Sequence, residues 1–312
     1  MKAAIIDSFG NAEVIRVKEV PNPKISQNEV LIRVKAAGLN PIDWKSRAGK
    51  GVLEANHLPY IPGWDVAGVI VEVGSPVGDF KVGDAVFGML NFPKLAGTHA
   101  EYVAANPDHL AIKPSNLSFI EAAATPLAAL TAWQGLLMAN LQPKQQILIH
   151  AAAGGVGHLA VQLAKLKKAY VIGTASEKNR DFLRTLGLDQ WIDYHKSKFD
   201  ELLSQLDVVF DGVGGEVMRR SLSVIKPHGH LITLLGHRFP EIIAEAKSRK
   251  IIPVSVIVKP SGKDMAQLAQ LIFDNQLKIT IDSVFSLNEV VKAYRYLEQG
   301  HRRGKVVLNI SQ

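Results

Sequence analysis

Cysteine is absent from this 312-residue sequence. Its absence excludes disulfide bonds, zinc sites built on thiolates and catalytic thiols. Long apolar runs are also absent, since none reaches the roughly 20 residues that a membrane-spanning helix needs. The N-terminus, MKAAIIDSFG, carries one lysine and reaches polar residues too soon for a secretory signal. We therefore expect a cytoplasmic protein that does not enter a membrane.

Charge is modest and scattered along the chain. The sequence is 47% hydrophobic and 21% charged, the balance of an ordinary globular protein with room for a sizeable core. The formal net charge is +7, yet the densest basic cluster, HRRGK at 301–305, is short. Because the basic residues form no stripe interleaved with aromatics, we do not expect nucleic acid as a partner. The excess indicates either a solvated basic surface or a local pocket for an anionic ligand.

The chain changes texture at about residue 118. Before it, short β-rich segments such as EVLIRVKAAGL and VAGVIVEVG are separated by turn residues. Ser118 and Glu121 then form a predicted capping box, and apolar strands beginning near 145, 169, 207 and 230 alternate with helices. This alternation predicts a parallel sheet covered on both faces. The tail has two predicted helices (264–274 and 287–299) and a final strand, KVVLNI, which could return to the first domain.

Three glycines lie between an apolar strand and an apolar helix, in ILIHAAAGGVGHLAVQLAK (147–165). Such a turn could be an ordinary tight corner, and its spelling is not a strict G-x-G-x-x-G. However, helical spacing from Val156 to Leu163 makes it a strand-to-helix turn, where backbone N–H groups can approach a diphosphate. The sequence therefore predicts a nucleotide-binding turn at Gly154, Gly155, Val156 and Gly157.

The next predicted strand indicates which nucleotide is bound. NAD-binding sites usually carry an acidic residue about 20 positions after the glycines, where it binds the ribose 2′-OH. Here the strand ends at Thr174, Ala175 and Ser176, with Lys178 and Arg180 following. Hydroxyls and cations suit a 2′-phosphate, because cations make charge-assisted bonds to it. We therefore expect NADP(H), with Glu177 pointing to solvent, although a merely polar helix start would look similar.

Further motifs run along nearly the whole chain. They are AAGLNPIDWKSRAG (36–49), YIPGWDVAGVIVEVG (60–74), FKVGDAVFG (80–88), GTHAEYVA (97–104), AAATPLAALTAWQGL (122–136), DVVFDGVGG (207–215) and GKVVL (304–308). Together with the glycine turn they resemble the zinc-free quinone oxidoreductase-like branch of the medium-chain dehydrogenase/reductase superfamily. The resemblance implies an α/β protein: a GroES-like β-barrel catalytic domain (1–118 and 259–312) and a Rossmann domain with a doubly wound parallel sheet (119–258). It also implies a homodimer, for which IPVSVIVKP (252–260) could supply an edge strand.

The resemblance also implies roles for particular residues. The glycine turn would hold the diphosphate of NADP(H). Ser176, Lys178 and Tyr194 would hold the 2′-phosphate, with Arg180 as a helper. Asn40 and Thr125 would lie near the nicotinamide. The cofactor cleft would be lined by Val213 and Leu235 and closed by Lys305.

The alcohol dehydrogenases of this superfamily hold a catalytic zinc through cysteines and a histidine. Here Asn40 stands at the usual cysteine position, and PGWD (62–65) replaces their Pro-Gly-His-Glu, so we expect no metal. Without a Lewis acid to stabilise an alkoxide, the favourable reaction is hydride delivery to an acceptor activated by conjugation. Asn40, Lys45 and Tyr60 are candidate donors to the developing negative charge, although each could instead be structural or bind cofactor.

Three functions remain open at this point. The first is an NADPH-dependent quinone reductase, with a small quinone or other conjugated carbonyl as substrate. The second is an enone or 2-alkenal double-bond reductase, since NPIDWK resembles the plant enone reductases equally well. The third is a non-enzymatic NADPH-binding protein of regulatory or RNA-binding type, similar to certain lens crystallins of this branch.

Overall fold

The computed structural model describes residues 1–75 and 80–310. The strands, in chain order within these residues, are β1 (Lys2–Ile6), β2 (Ile15–Glu19), β3 (Val30–Leu39), β4 (Asp65–Val73), β5 (Ala85–Met89), β6 (Tyr102–Ala105), β7 (Leu110–Ile112), β8 (Gln146–Ile149), β9 (Tyr170–Ala175), β10 (Gln190–Asp193), β11 (Leu206–Asp211), β12 (Ile225–Thr233), β13 (Ile252–Ser255), β14 (Ile281–Ser286) and β15 (Lys305–Asn309).

The α-helices of the same residues are α1 (Pro41–Arg47), α2 (Phe119–Ala124), α3 (Pro126–Met138), α4 (Gly157–Leu166), α5 (Arg180–Thr185), α6 (Phe199–Leu202), α7 (Gly215–Ser221), α8 (Pro240–Ser248), α9 (Gly262–Phe273) and α10 (Val290–Glu298). Short 3₁₀ turns cover Ala12–Val14, Ala55–His57, Pro107–His109, Glu177–Asn179, Gly236–Arg238 and Leu287–Glu289. Within the described residues no helix has both the length and the apolar character that crossing a membrane would require.

The chain forms two compact units, one comprising Met1–Leu130 with Lys259–Gln312 and the other Thr131–Val258. The first break falls inside α3, whereas the sequence predicts it after residue 118. The residues between these two positions are α2, which packs on β3, β4 and β15 of the first unit, and the first residues of α3.

The first unit is mostly antiparallel. Its seven-stranded sheet has the order β14-β15-β3-β4-β5-β7, with β6 also pairing with β3, and β1 and β2 form a separate two-stranded sheet. The C-terminal strand β15 pairs antiparallel with β3, so that Val306 lies opposite Leu39. This pairing confirms that the tail returns to the first domain.

The second unit is a six-stranded parallel sheet in the order β10-β9-β8-β11-β12-β13. This is the doubly wound order of a Rossmann fold, 3-2-1-4-5-6 when its strands are numbered along the chain. The strands predicted near residues 145, 169, 207 and 230 are β8, β9, β11 and β12. The four-residue β10 was not predicted, because so short a segment with two polar ends carries no clear periodicity.

The predicted capping box at Ser118 is confirmed. The Glu121 N–H donates to the Ser118 hydroxyl at 3.2 Å, and the Ser118 N–H donates to the Glu121 carboxylate at 3.0 Å. The helix that follows is shorter than the Ala/Leu-rich pattern suggested. It ends at Ala124, because Pro126 has no N–H to continue the ladder and disfavours helical backbone at Thr125.

Candidate active site

The glycine turn lies at the switch point of the parallel sheet. β8 is flanked by β9 on one side and by β11 on the other, so connections leave its carboxyl end in opposite directions. In open α/β sheets this crevice is where ligands bind. The turn runs from the end of β8 at Ile149 to the start of α4 at Gly157. The strand-to-helix turn predicted from the sequence therefore lies at this crevice, and its contact with a nucleotide stays a prediction.

Close packing explains the last glycine of the turn. A Cβ on Gly157 would lie 2.3 Å from the carbonyl oxygen of Ala151 and 2.9 Å from the backbone of Ala152. A Cβ on Gly154 would lie 3.2 Å from the same oxygen, a much milder contact. Gly157 thus lets α4 begin directly against the end of β8, which brings the helix N-terminus to the crevice.

The carboxyl ends of β11 and β12 bring Val213 and Leu235 to the same edge. Asp211 ends β11, and its carboxylate accepts the Val213 N–H at 3.1 Å and the Gly214 N–H at 3.0 Å. A Cβ on Gly214 would lie 2.8 Å from the Leu235 side chain, so the two loops are in contact. Burial raises the pKa of Asp211, while the loop N–H groups oppose that rise. Asp211 was not predicted as a site residue, although an aspartate followed by GVGG is a turn signature.

The predicted 2′-phosphate residues come together at the ends of β9 and β10. Ala175 is paired with Asp193 in the parallel register, so the following residues, Ser176 and Tyr194, leave neighbouring strands side by side. Tyr194 is 44% exposed. Lys178 and Arg180 are exposed just beyond Ser176, and the Arg180 guanidinium lies 5.8 Å from the ring centre of Trp191.

Two neighbours of this site make contacts that the sequence did not predict. Thr174 is buried, and its hydroxyl lies 3.1 Å from the His150 ring instead of facing a ligand. Glu177 is exposed, as expected, and its carboxylate also accepts from Lys196 at 2.6 Å.

His150 ties three elements together beneath the glycine turn. It follows β8, its Nδ1 lies 3.1 Å from the Thr174 hydroxyl of β9, and its Nε2 lies 3.0 Å from the Ser221 hydroxyl of α7. The Ser221 hydroxyl donates to the Val217 carbonyl, so Nε2 carries the ring proton and Nδ1 accepts from Thr174. Burial, with help from the Arg220 charge, lowers the pKa of His150 to about 3. The ring is therefore neutral at physiological pH.

In the first unit, Asn40, Asp65 and Lys305 form a buried polar cluster at the ends of β3, β4 and β15. The Asn40 amide donates to Asp65 Oδ2 at 2.9 Å, and the Leu127 N–H donates to Asp65 Oδ1 at 2.8 Å. The Lys305 ammonium donates to the Asn40 amide oxygen and, at 3.0 Å, to the Leu39 carbonyl. It also lies 3.7 Å from Asp65, with side-chain exposures of 3% and 0%. Burial lowers the pKa of Lys305 and raises that of Asp65, and each charge opposes the shift of the other.

Asp43 borders this cluster on α1. The Asn40 N–H donates to its Oδ2 at 2.6 Å, while its Oδ1 is buried without a hydrogen-bond partner among the described residues. Burial raises the pKa of Asp43 to about 8, opposed by the Asn40 N–H and assisted by the Asp65 charge. Asp43 was not predicted as a site residue, although an Asn N-cap with an acid three residues on is a capping pattern.

The three candidate donors differ in access. The Asn40 amide is already engaged in hydrogen bonds to Asp65 and Lys305. The Tyr60 hydroxyl is buried with no hydrogen-bond partner in residues 1–75 and 80–310. Burial, then the Asp43 charge, raises the pKa of Tyr60. Lys45 is partly exposed on α1, with its ammonium 5.7 Å from the ring centre of Trp44.

Thr125 and Lys305 are also fixed by internal contacts. The Thr125 hydroxyl donates to the Glu121 carbonyl at 2.8 Å in the break between α2 and α3. The buried ammonium of Lys305 is held by the cluster described above. Contact of these side chains with a cofactor stays a prediction.

The residues at the position where the alcohol dehydrogenases of this superfamily hold zinc do not suit that metal. An amide, a carboxylate already engaged by two N–H donors, and a lysine ammonium converge there. The Trp64 indole, which stands at the usual histidine position, donates to the Lys94 carbonyl at 2.7 Å. Across the described part of the chain no group of three or more His, Asp or Glu side chains could hold a metal ion. The cluster thus already contains its own cation.

Comparisons with known proteins agree with this architecture. Residues 26–115 match the family described as alcohol dehydrogenase GroES-like domain, and residues 186–308 match that described as zinc-binding dehydrogenase. The 2-methylene-furan-3-one reductase of Solanum lycopersicum is 39% identical, covering 99% of this chain and 79% of that protein. The chloroplastic NADPH-dependent alkenal/one oxidoreductase of Arabidopsis thaliana is 37% identical over the same shares, 99% and 79%.

A solved structure is similar over the whole length. The quinone oxidoreductase from Coxiella burnetii is 40% identical, with a TM-score of 0.96 over 100% of this chain and 99% of that one. A GroES-like domain with a parallel-sheet Rossmann domain defines a two-domain dehydrogenase/reductase, which confirms the predicted fold class. The chain belongs to the medium-chain dehydrogenase/reductase superfamily, in its quinone oxidoreductase branch, and is an oxidoreductase.

Proposed function

We propose that this oxidoreductase uses NADPH, without zinc, to reduce a quinone. The observation that carries the cofactor choice is the pairing of Ala175 with Asp193, which sets Ser176 beside Tyr194. Lys178 and Arg180 add positive charge at the same strand end, where NAD-binding proteins carry an acid for the ribose 2′-OH. A 2′-phosphate there would receive hydroxyl and charge-assisted hydrogen bonds.

The remaining cofactor contacts follow from the sheet edge. The turn of Gly154, Gly155, Val156 and Gly157 would hold the diphosphate at the N-terminus of α4, while Val213 and Leu235 would line the cleft beside it. Bound NADPH supplies the hydride, so the tasks of the chain are binding, orientation and stabilisation of the charge formed on the acceptor.

The polar residues of the first unit support a conjugated acceptor. The Lys305 ammonium is bound to Asn40 and lies beside Asp65, so neither it nor those side chains is arranged to polarise an alkoxide as a metal would. A quinone already accepts a hydride without a Lewis acid, and its reduced oxygen then takes a proton to give the hydroquinone. Lys45 is the best placed of the three candidate donors to stabilise that oxygen, because its side chain is partly exposed.

An enone or 2-alkenal reductase is the second candidate. The specific observation that favours it is the pair of relatives at 39% and 37% identity, named for a furanone and for alkenals and enones. The same cofactor geometry serves both reactions, since hydride attack on the β-carbon of an enone also places negative charge on an oxygen. The enolate formed then takes a proton at its α-carbon to give the saturated carbonyl.

One experiment separates these proposals. NADPH and NADH oxidation are followed side by side against 9,10-phenanthrenequinone and one aliphatic enone, with EDTA present throughout. We expect faster turnover with NADPH that survives chelation, and the better acceptor identifies the reaction. Loss of activity in EDTA that added zinc restores would contradict the zinc-free proposal, and preference for NADH would contradict the 2′-phosphate site. Binding of NADPH without oxidation by either acceptor would favour the non-enzymatic function.

Two further properties stay proposals. A homodimer is supported by β13, which is an edge strand of the parallel sheet, and by the exposed Ile252 (43%) and Ile257 (67%). Light scattering on the purified protein tests it, with a monomeric mass as the contrary result. The cytoplasmic location is tested by fractionating cells that produce the protein.

A further inference from the structure

An exposed ion pair borders the proposed 2′-phosphate site. Glu177 follows Ser176 beyond the end of β9, and Lys196 comes two residues after Tyr194 beyond the end of β10. Their charged atoms are 2.6 Å apart, and their side chains are 58% and 65% exposed. The pair therefore links the two strand ends that carry Ser176 and Tyr194.

The fold does not need this pair. An ion pair so exposed contributes little to stability, because water screens the charges and the long side chains lose freedom. The consequence of the pair is instead electrostatic. Glu177 is a carboxylate close to the strand end where NAD-binding proteins use an acid to bind the ribose 2′-OH. Left unneutralised, it would attract that hydroxyl and repel a 2′-phosphate.

We propose that Lys196 is a specificity-determining residue, which favours NADPH over NADH by neutralising Glu177. This inference rests on the proposed use of NADPH. Lys196 holds the Glu177 carboxylate in an ion pair, so that this carboxylate repels a 2′-phosphate bound beside Ser176 less strongly. The hydrogen bond to Glu177 raises the pKa of Lys196, so its ammonium stays charged over the whole working range of pH.

The test is a double-mutant cycle on cofactor binding. Dissociation constants for NADPH and NADH are measured by fluorescence titration, at low salt, for the native protein, Lys196→Gln, Glu177→Gln and the double variant. The matched control is Lys198→Gln, which removes a lysine of similar exposure that pairs with Glu201 on α6 at 2.9 Å. Thermal melts of all variants verify that the fold is intact.

Neutralisation predicts a distinct pattern. Lys196→Gln should weaken NADPH binding by about fivefold without weakening NADH, and the effect should shrink as salt screens the charges. The double variant should return to near the native preference, because it lacks the carboxylate as well as the ammonium. Lys198→Gln should leave the preference unchanged.

Other outcomes overturn the inference in separable ways. If the native protein prefers NADPH but Lys196→Gln keeps that preference, Lys196 is not a determinant and the proposed function stands. If the double variant is as weak as Lys196→Gln, Lys196 contacts the phosphate itself and does not act through Glu177. If the native protein has no preference for NADPH, the proposed cofactor is wrong and the inference fails with it.

Discussion

Replacing Lys305 with methionine should strongly destabilise the first unit. The substitution keeps the length of the side chain but leaves Asp65 fully buried without its counter-charge. Removing one partner of a buried ion pair typically costs about 3–5 kcal/mol. At about 2–4 °C per kcal/mol for a unit of this size, the melting temperature should fall by roughly 6–20 °C. Calorimetry or circular dichroism at pH 7 measures the change.

The double variant Asp65→Asn/Lys305→Met tests whether the ion pair is the cause. The amide oxygen introduced at 65 can still accept the hydrogen bond from the Leu127 N–H, which in the native protein donates to Asp65 at 2.8 Å. With Lys305 gone, the Asn40 amide can turn over so that its oxygen accepts from the new amide. The double variant should therefore be more stable than Lys305→Met alone, by about 1–2 kcal/mol.

The pH dependence gives the sign of the effect. Without the ammonium, the pKa of the buried Asp65 rises further above its ordinary value of 3.8, so the folded state binds a proton that the unfolded state releases. Stability of Lys305→Met should then fall by about 1.4 kcal/mol per pH unit from 3.8 up to this raised pKa, a wider window than in the native protein, and be closest to native in acid. If the single losses simply add in the double variant, or if Lys305→Met shows no extra pH dependence, the coupling derived from the cluster is wrong.

Three further changes test other parts of the molecule. The stability of Asp43→Asn relative to the native protein should increase by about 1.4 kcal/mol per pH unit from pH 3.8 to about 8, because the raised pKa of Asp43 makes native stability fall over that window. A difference between the two proteins in urea unfolding that stays constant with pH would contradict this. Gly157→Ala should lower the free energy of unfolding by several kcal/mol and abolish cofactor binding, because its Cβ would lie 2.3 Å from a backbone oxygen. Gly154→Ala should lower it much less. Equal melting temperatures for the two variants would refute the packing explanation. His150→Gln should lower stability by about 1–3 kcal/mol at pH 7. As the pH falls from 6.5 to about 3, however, the variant should lose less stability than the native protein, because the native ring stays neutral while the unfolded one is protonated. Equal losses of stability in acid would contradict a buried, neutral His150.

Local patterns determined the features that the sequence predicts well. The capping box at Ser118, the strand before the glycines and the helix after them depend on neighbours within a few residues. The order of such strands and helices then leaves few topologies, since parallel crossovers are right-handed. The glycine turn between β8 and α4 could for that reason be located from the sequence alone.

Contacts between distant residues determined the rest. Asn40 and Lys305 are 265 positions apart, and only the pairing of β15 with β3 brings them together. Lys196 lies 19 positions from Glu177, across the unpredicted strand β10. Thr174 shows the converse, because a hydroxyl that looks available in the sequence faces inward, on the side of the strand that His150 reaches.

The buried cluster links the strand ends of the first unit through contacts among its own side chains. In this chain an amide replaces the cysteine and a lysine ammonium joins a carboxylate, so the ends of β3, β4 and β15 are linked by hydrogen bonds and opposite charges. The free-energy cost of burying such charges is nearly as large as their mutual attraction, so the cluster adds little net stability. A change that separates its side chains, however, leaves a buried charge unpaired and is strongly destabilising. Its effect is therefore to fix the position of Asn40, and with it the start of α1, which carries Lys45. Lys305→Met should on this reasoning disturb turnover in the fraction that remains folded, whereas the double variant, with its re-formed amide pair, should recover part of both.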